Sequence, residues 1–280
     1  MAIGVWSGRP PQSIMPFELQ LVTPPTSEPI SINEAKIQSR RALTVTNEDL
    51  QWQIYIEAAR NAVERDTARA ICWQRWKLLL DRWPDVFLLK RCPVIEVEQL
   101  RYKDLSTAGA WVTVDSGDYK VSLSEPARIN NAYARYWQPA RFEMGSVEVT
   151  FTAGYLVPFT ADDSTDTLTF LEYEPTNGDS FRLSNSGGEL PSGLTAFRTY
   201  YVVGASGNTC QLSTSSGGSA VNLTTKGVGL HFLGTLPGQI RMAMLKHIAT
   251  NFADREGSTV AADCERSYLQ SIADCQYTVL

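Results

Sequence analysis

The sequence predicts an α+β protein, with a core of about four helices that carries antiparallel β segments and with an all-β domain inserted into it. Three observations lead to this fold class. Segments near both ends repeat apolar residues at helical spacing, the stretch between them alternates β-branched and aromatic residues with polar ones, and one block is rich in Gly, Ser and Thr. With 280 residues, of which 43% are apolar, the chain can bury a substantial core.

The chain divides into four parts. Residues 1–29 contain six prolines, which prevent a helix and predict an extended arm whose middle, FELQLV, can pair as an edge strand. Residues 30–155 form the first part of the helical core, 156–236 the inserted β domain, and 237–280 the C-terminal helices and tail.

Two helices are predicted after the arm. Ser31 and Glu34 have the spacing of a capping box, which begins a short helix. Thr46 or Asn47 can cap a second helix that runs to about Thr67. The residues expected on the buried stripe of this second helix are apolar: Leu50, Ile54, Ile56, Ala58, Ala59, Ala62 and Val63.

The following hundred residues predict strands. The segments that alternate in the manner of half-buried strands are CWQRWKLLLDRW, VFLLK, VIEVEQLRY, WVTV, YKVS, ARIN and SVEVTFTAGY. Prolines and glycines separate them, so we expect short antiparallel pairs.

The inserted block differs from its surroundings in composition. Residues 156–236 contain 11 Gly, 22 Ser or Thr, three basic residues and seven acidic ones. Short apolar runs such as TLTFL, SFRLS and TYYVV alternate with NG, SGN and SSGG turns. This pattern predicts a small all-β module with tight turns.

Two further helices are predicted at the end of the chain. Pro237 suits the first position of a helix that runs from about Gln239 to Arg255. A last helix begins at about Asp263, and the tail after it is apolar and uncharged. The residues expected on the buried face of the first of these helices are Ile240, Ala243, Met244, His247, Ile248 and Phe252.

Charge and targeting signals exclude several classes of protein. The net charge is −5 and no basic block occurs, whereas proteins that grip nucleic acid cluster Lys and Arg. We therefore expect no specific DNA binding. No apolar stretch approaches the length of a membrane span and no signal peptide is recognisable, which predicts no membrane association and synthesis in the cytoplasm. Five cysteines without a C-x-x-C spacing favour packed, reduced thiols.

No enzymatic or metal chemistry is predicted. Asp162, Asp163 and Asp166 form an acidic turn, but it lacks the Gly and the bidentate Glu of a calcium loop. His247 lies on an apolar helix face, where a packed or interfacial histidine is commoner than a catalytic base. The sequence thus predicts no catalytic residue, no cofactor and no metal ligand.

Aromatic residues supply candidate contacts between subunits. The tryptophans at 73, 76, 83, 111 and 137 are expected mostly in the core, with one or two at an interface. Trp6 lies in the proline-rich arm with no local core to join. We expect Trp6, Phe17 and Trp137 at a subunit interface.

A family resemblance is carried by the segments outside the inserted block. LVTPPTSEPISINEAK at residues 21–36, EAARNAVERDTARAI, WKLLLDRWP, CPVIEVEQLRY, SGDYKVS, VEVTFTAGY and PGQIRMAMLKHIATNFADRE follow one another in that order. Together they resemble the head-tail connector (adaptor) family of tailed bacteriophages and prophages. The inserted block is similar to a small β module found in phage structural proteins.

The resemblance implies a structural virion protein. Connectors of this kind form a ring of about twelve copies, as the portal does, that docks under the portal after DNA packaging. The ring joins head to tail at the virion neck, contacts a tail or head-completion (stopper) protein, and forms part of the channel through which DNA passes. By resemblance, the segment Tyr277, Thr278, Val279 and Leu280 is the candidate portal-binding site.

One alternative stays open. The chain could be a tail or baseplate structural protein whose β module binds a host glycan or a fibre, with Tyr200 and Tyr201 as an exposed stacking pair. Helices on both sides of the β part favour the connector, because a channel ring needs helices to line and brace it.

Overall fold

The computed structural model describes residues 17–105, 109–253 and 261–273. Among these residues four helices account for 22% and strands for 35%, so the described chain is mostly β. The helices are α1 (Ile32–Gln38), α2 (Asp49–Thr67), α3 (Gly238–Ala253) and α4 (Ala261–Ile272). The strands are β1 (Phe17–Thr23), β2 (Gln74–Leu80), β3 (Phe87–Leu88), β4 (Val94–Lys103), β5 (Trp111–Thr113), β6 (Tyr119–Ser122), β7 (Arg128–Asn131), β8 (Val147–Ala153), β9 (Val157–Asp162), β10 (Thr167–Thr169), β11 (Ser180–Ser186), β12 (Thr199–Ser206), β13 (Thr209–Ser213) and β14 (Leu230–Leu233).

A five-stranded antiparallel sheet forms the centre of the molecule, in the order β1-β2-β8-β4-β5. Strand β8 is in the middle, and all seven of its residues are buried. The Glu148 carboxylate on β8 is neutralised from both neighbouring strands, by Arg101 at 2.8 Å and Lys77 at 3.5 Å. Strand β1 pairs only with β2, which confirms the predicted edge strand.

A second sheet covers one face of the first. It has the order β3-β7-β6. Phe87 of β3 and Ile129 of β7 pack with Leu78, Val149 and Phe151 of the five-stranded sheet in one hydrophobic cluster. Both sheets therefore share a core that contains no helix residue.

The inserted block contains a closed barrel, with strand order β10-β13-β12-β11-β14-β9 and antiparallel pairing throughout. Its strands run from Val157 to Leu233. The barrel core also holds Trp73, which lies outside the block, at the start of the central sheet. Phe232 of β14 packs in the opposite direction, into the core of the helices. The barrel core thus contains a side chain from outside the inserted block, and the helical core contains a side chain from the barrel.

The four helices share a cluster at one end of the five-stranded sheet. Ser31 caps α1, where its side-chain oxygen accepts a hydrogen bond from the amide of Glu34 at 3.2 Å, as predicted. The Glu34 carboxylate does not complete a capping box. It accepts two hydrogen bonds from the Arg241 guanidinium of α3, at 2.7 and 2.6 Å, and one from the Ser186 hydroxyl of the barrel, at 2.6 Å.

Helix α2 differs from the prediction in its cap and in its buried face. Its N-cap is Glu48, which makes no side-chain capping bond, so Thr46 and Asn47 were wrong. The expected stripe was partly wrong, since Leu50 is 73% and Ile54 is 50% exposed. The side chains that α2 buries in the helical core are Trp52, Ile56, Ala59 and Val63.

The predicted helical core is therefore wrong. The segments expected as β additions to a helical body pair with one another over long stretches, so they build two sheets with their own hydrophobic core. The helices bury a separate cluster beside this β structure. Strand pairing joins residues far apart in sequence, which the local patterns did not reveal.

Candidate interaction surfaces

The described residues offer no obvious metal site. Across residues 17–105, 109–253 and 261–273, no group of three or more His, Cys, Asp or Glu side chains is placed to hold a metal ion. The carboxylates of the acidic turn make hydrogen bonds within the barrel instead: Asp162 accepts from the amide and hydroxyl of Ser164, and Asp166 accepts from the amide of Leu223. In the part of the chain described, no helix has the length and apolar character of a membrane span.

Both histidines pack against aromatic rings. His247 on α3 lies edge-on to the Tyr268 ring of α4, with the ring centres 5.5 Å apart, and its Nδ1 is 3.0 Å from the Asn251 amide nitrogen. Burial lowers the pKa of His247, and the nearby Arg65 lowers it further. Burial also lowers the pKa of His231, which stacks on Phe159 in the barrel.

The predicted interface residues have different positions. Trp6 and the segment Tyr277, Thr278, Val279 and Leu280 lie outside the described residues. Phe17 is at the start of edge strand β1, where it is 43% exposed and lies under the ammonium of Lys90, 4.3 Å from the ring centre. Trp137 is half-buried and stacks on Trp83 with the ring centres 4.7 Å apart.

The segment around Trp137 presents an exposed apolar surface, which we call the aromatic loop (residues 132–145). The side chains that it exposes are large: Tyr133 (99% exposed), Tyr136 (83%), Phe142 (80%) and Met144 (85%). Solvent exposure of so many large apolar side chains in one segment is typical of an interaction surface.

Several contacts fix the backbone of the aromatic loop. The Trp83 indole donates to the carbonyl of Gln138 at 2.7 Å, and the amide of Arg141 donates to the carbonyl of Lys103 at 2.9 Å. Ala140 forms an isolated β-bridge with Asp104. Trp137 stacks on Trp83 within this segment and thus anchors the loop to the core.

A second surface lies where α1 and α2 meet the barrel. This helix–barrel cleft has a volume of about 630 Å³. Its walls carry three carboxylates, Glu28, Asp49 and Glu57, and no Lys or Arg from residues 17–105, 109–253 or 261–273 lines it. The apolar side chains that line the cleft are Ile30, Ile32, Ile56, Val228 and Leu230.

The barrel does not present the aromatic pair of the glycan-binding alternative. Tyr200 is completely buried, and its hydroxyl oxygen accepts a hydrogen bond from the amide of Thr195 at 2.9 Å. Only Tyr201 of this pair is partly exposed. The expectation of an exposed Tyr200/Tyr201 pair was therefore wrong, because neighbouring residues of a strand point to opposite faces of the barrel wall.

The aromatic loop was not predicted from the sequence as an interaction surface. From this segment only Trp137 was predicted to lie at an interface, whereas the strongly exposed residues are those around it. A signal was present, since the segment AYARYWQPARFEM contains five large apolar or aromatic residues without strand or helix periodicity and with a proline among them. Large apolar residues outside any periodic element have no predicted core to join.

Comparison with known proteins gives matches among solved structures. No protein-family model and no curated protein sequence matches this chain. Chains with the same fold occur in the neck of an empty GTA particle computed with C6 symmetry (TM-score 0.53), the virion of a native gene transfer agent (GTA) particle (0.55) and the neck of a native GTA particle computed with C12 symmetry (0.50). Each is 18% identical to this chain, with 94% of this chain and 96–97% of the other covered. The likeness shows a shared fold, from the central sheet through the barrel to the helices.

Proposed function

We propose that this chain is a structural protein of the neck of a phage-like particle, where it forms a ring that joins the head to the tail. The observation that carries the proposal is the fold, which 94% of the chain shares with chains of GTA necks. Because the likeness includes the barrel as well as the sheets and helices, it concerns the whole architecture rather than one common motif.

The ring would contain about twelve copies, a number supported by the C12 symmetry of one of the similar neck structures. It would dock under the portal protein after DNA packaging and bind a tail or stopper protein on its other side. The apolar segment Tyr277–Leu280 is our candidate for the portal contact. Trp6, Phe17 and Trp137 are candidates for contacts with an adjacent subunit.

A passive channel suits the charge of the chain. The net charge of −5 provides no general attraction for phosphates, so DNA could pass through the ring without being held. The role is structural and needs no catalytic residue, cofactor or membrane contact.

Particles assembled without this chain test the proposal. We expect heads that package DNA but carry no tails, and we expect tailed particles to return when the intact chain is supplied. Complete, tailed particles in its absence would contradict a role in joining head to tail.

A further inference from the structure

The aromatic loop displays its apolar side chains on a fixed backbone. Arg135 donates its backbone amide to the carbonyl of Ala132 at 3.0 Å, and its guanidinium pairs with Asp118 at 3.2 Å. Lys103 of the central sheet binds the Glu143 carboxylate at 2.7 Å. A surface that is ordered before binding loses little conformational entropy when a partner covers it.

The helix–barrel cleft offers an apolar lining that the apolar side chains of the loop could contact. Ile30 and Ile56 are in the helical core at its base, while Val228 stands 68% exposed at its barrel wall. Glu28 pairs with Arg60 and Asp49 pairs with Lys36, but Glu57 has no ion-pair partner among the residues that the structure describes. The cleft therefore combines apolar lining with one unpaired carboxylate at its rim.

The charges of the two surfaces match. The aromatic loop carries Arg135 and Arg141 against one acid, Glu143. Both guanidiniums are accessible, since the side chain of Arg135 is 62% and that of Arg141 is 39% exposed. A basic, aromatic loop suits an apolar cleft in which the charged lining residues that the structure describes are all acids.

The two surfaces lie toward opposite ends of the central sheet, so the loop cannot fill the cleft of its own chain. Strand β8 starts at Val147, directly after the loop, and ends at Ala153, where Gln74 of β2 pairs with it. The helices and the barrel join the sheet at this second end, through Ile71 and Tyr155. Seven residues of strand separate the ends by about 20 Å.

We propose that the aromatic loop of one copy docks into the helix–barrel cleft of the next copy. This inference rests on the proposed ring and names the two surfaces that build it. A ring needs two different, complementary patches on each subunit, and a loop and a cleft at opposite ends of the chain meet that requirement. Tyr136 and Phe142 would enter the cleft, and Arg135 or Arg141 would meet the Glu57 carboxylate.

Cysteine cross-linking in assembled particles tests the contact. A chain that carries both Tyr136→Cys and Gln53→Cys has one new thiol on the loop and one in the cleft lining. After mild oxidation we expect a ladder of covalently linked chains on a non-reducing gel. Each single variant should remain at the level of the wild-type chain, whose own cysteines provide the background.

The outcomes separate the contact from the function. Particles that contain the double variant but give no ladder would overturn the docking of loop into cleft and leave the ring intact. Particles from which the unmodified chain is absent would contradict the proposed function and the inference with it. Linkage of a single variant to itself would indicate a two-fold interface and would also overturn the inference.

A second variant tests the loop without introduced thiols. Tyr136→Ser combined with Phe142→Ser should reduce incorporation of the chain into particles at least tenfold, with no change in the melting temperature of the isolated chain. Leu171→Ser is the matched control, because Leu171 is also an exposed apolar residue (69%) but lies in the barrel region, away from the loop. Normal incorporation of the loop variant would overturn the inference.

Discussion

The Glu34 carboxylate of α1 binds the Arg241 guanidinium of α3 through two hydrogen bonds, of 2.7 and 2.6 Å. The same carboxylate accepts the hydroxyl hydrogen of Ser186, and the Ser186 oxygen accepts the amide hydrogen of Ser31 at 2.8 Å. Two segments that are 207 positions apart in sequence are therefore joined to each other and to the barrel at one point.

Removal of Arg241 should destabilise the protein. Glu34 and Arg241 are 19% and 30% exposed, so loss of the guanidinium leaves a largely desolvated carboxylate with fewer donors. We expect Arg241→Met to lower the free energy of unfolding by about 2 kcal/mol, measured by urea denaturation. Arg65→Met is the control, because Arg65 is 75% exposed and its pair with Asp66 should contribute less than about 0.5 kcal/mol. Equal effects of the two substitutions would contradict this account.

Gly234 is required where the chain leaves the barrel. It has a φ of +98°, and a side chain there would overlap the carbonyl oxygen of Tyr155, where the chain approaches the barrel. We expect Gly234→Ala to lower the free energy of unfolding by at least about 3 kcal/mol, measured by thermal or urea denaturation. Gly207 also has a positive φ, of +56°, but has open space around it, so Gly207→Ala should cost only about 1 kcal/mol. A tolerated Gly234→Ala would show that the two segments are not in close contact.

Substitution of Trp137 should lower the stability of the protein, whereas substitution of its neighbour Tyr136 should not. Trp137 stacks on Trp83 and meets the edge of Phe87, whereas Tyr136 is 83% exposed. We expect Trp137→Ala to destabilise the isolated chain by about 2 kcal/mol and Tyr136→Ala to stay within about 0.5 kcal/mol. Denaturant unfolding of the two variants measures both values. If Trp137→Ala left the free energy of unfolding unchanged, this would contradict an anchoring role of Trp137 in the fold.

Stability should fall as the pH decreases from 7 to 5. The pKa values of His231 and His247 are lowered by burial, so below the unfolded value of about 6.5 the unfolded chain binds more protons than the folded one. Their stabilising contribution is complete above that value and is lost as the pH falls from it through the lowered pKa values of the folded state. Burial raises the pKa of Glu64, and this makes the stability increase as the pH falls. The contribution of the histidines must therefore be measured by comparing variants with the wild-type chain. The His231→Gln, His247→Gln double variant should show a flatter pH dependence of unfolding than the wild-type chain; an unchanged slope would contradict the assignment.

Local patterns in the sequence predicted the elements whose causes are local. The Ser31 cap of α1, the edge strand β1 and the buried face of α3 depend on spacings within a few residues. The first two were confirmed, and the third was confirmed in part, since His247 and Phe252 are only partly buried. The arrangement of the elements depends on contacts between distant residues. Leu50 and Ile54 are as apolar as Ile56, and only the packing of α2 against the other helices decides which of them is buried.

The candidate surfaces, like the arrangement of the elements, depend on contacts between distant residues. Trp137 and Tyr136 are adjacent aromatic residues, but one anchors the loop and the other faces solvent. The difference depends on Trp83, which is more than fifty positions away in sequence and becomes a neighbour only when the two sheets pack. The helix–barrel cleft likewise combines four separate segments of the chain, so no single motif could have indicated it.

Cryo-electron microscopy of intact particles tests the central claim most directly. The account predicts that this chain forms a closed ring of about twelve copies at the neck, between portal and tail. The aromatic loop of each copy should lie in the helix–barrel cleft of the next. Density for this chain at the tail tip, at the baseplate or in the capsid shell, with no ring at the neck, would contradict it.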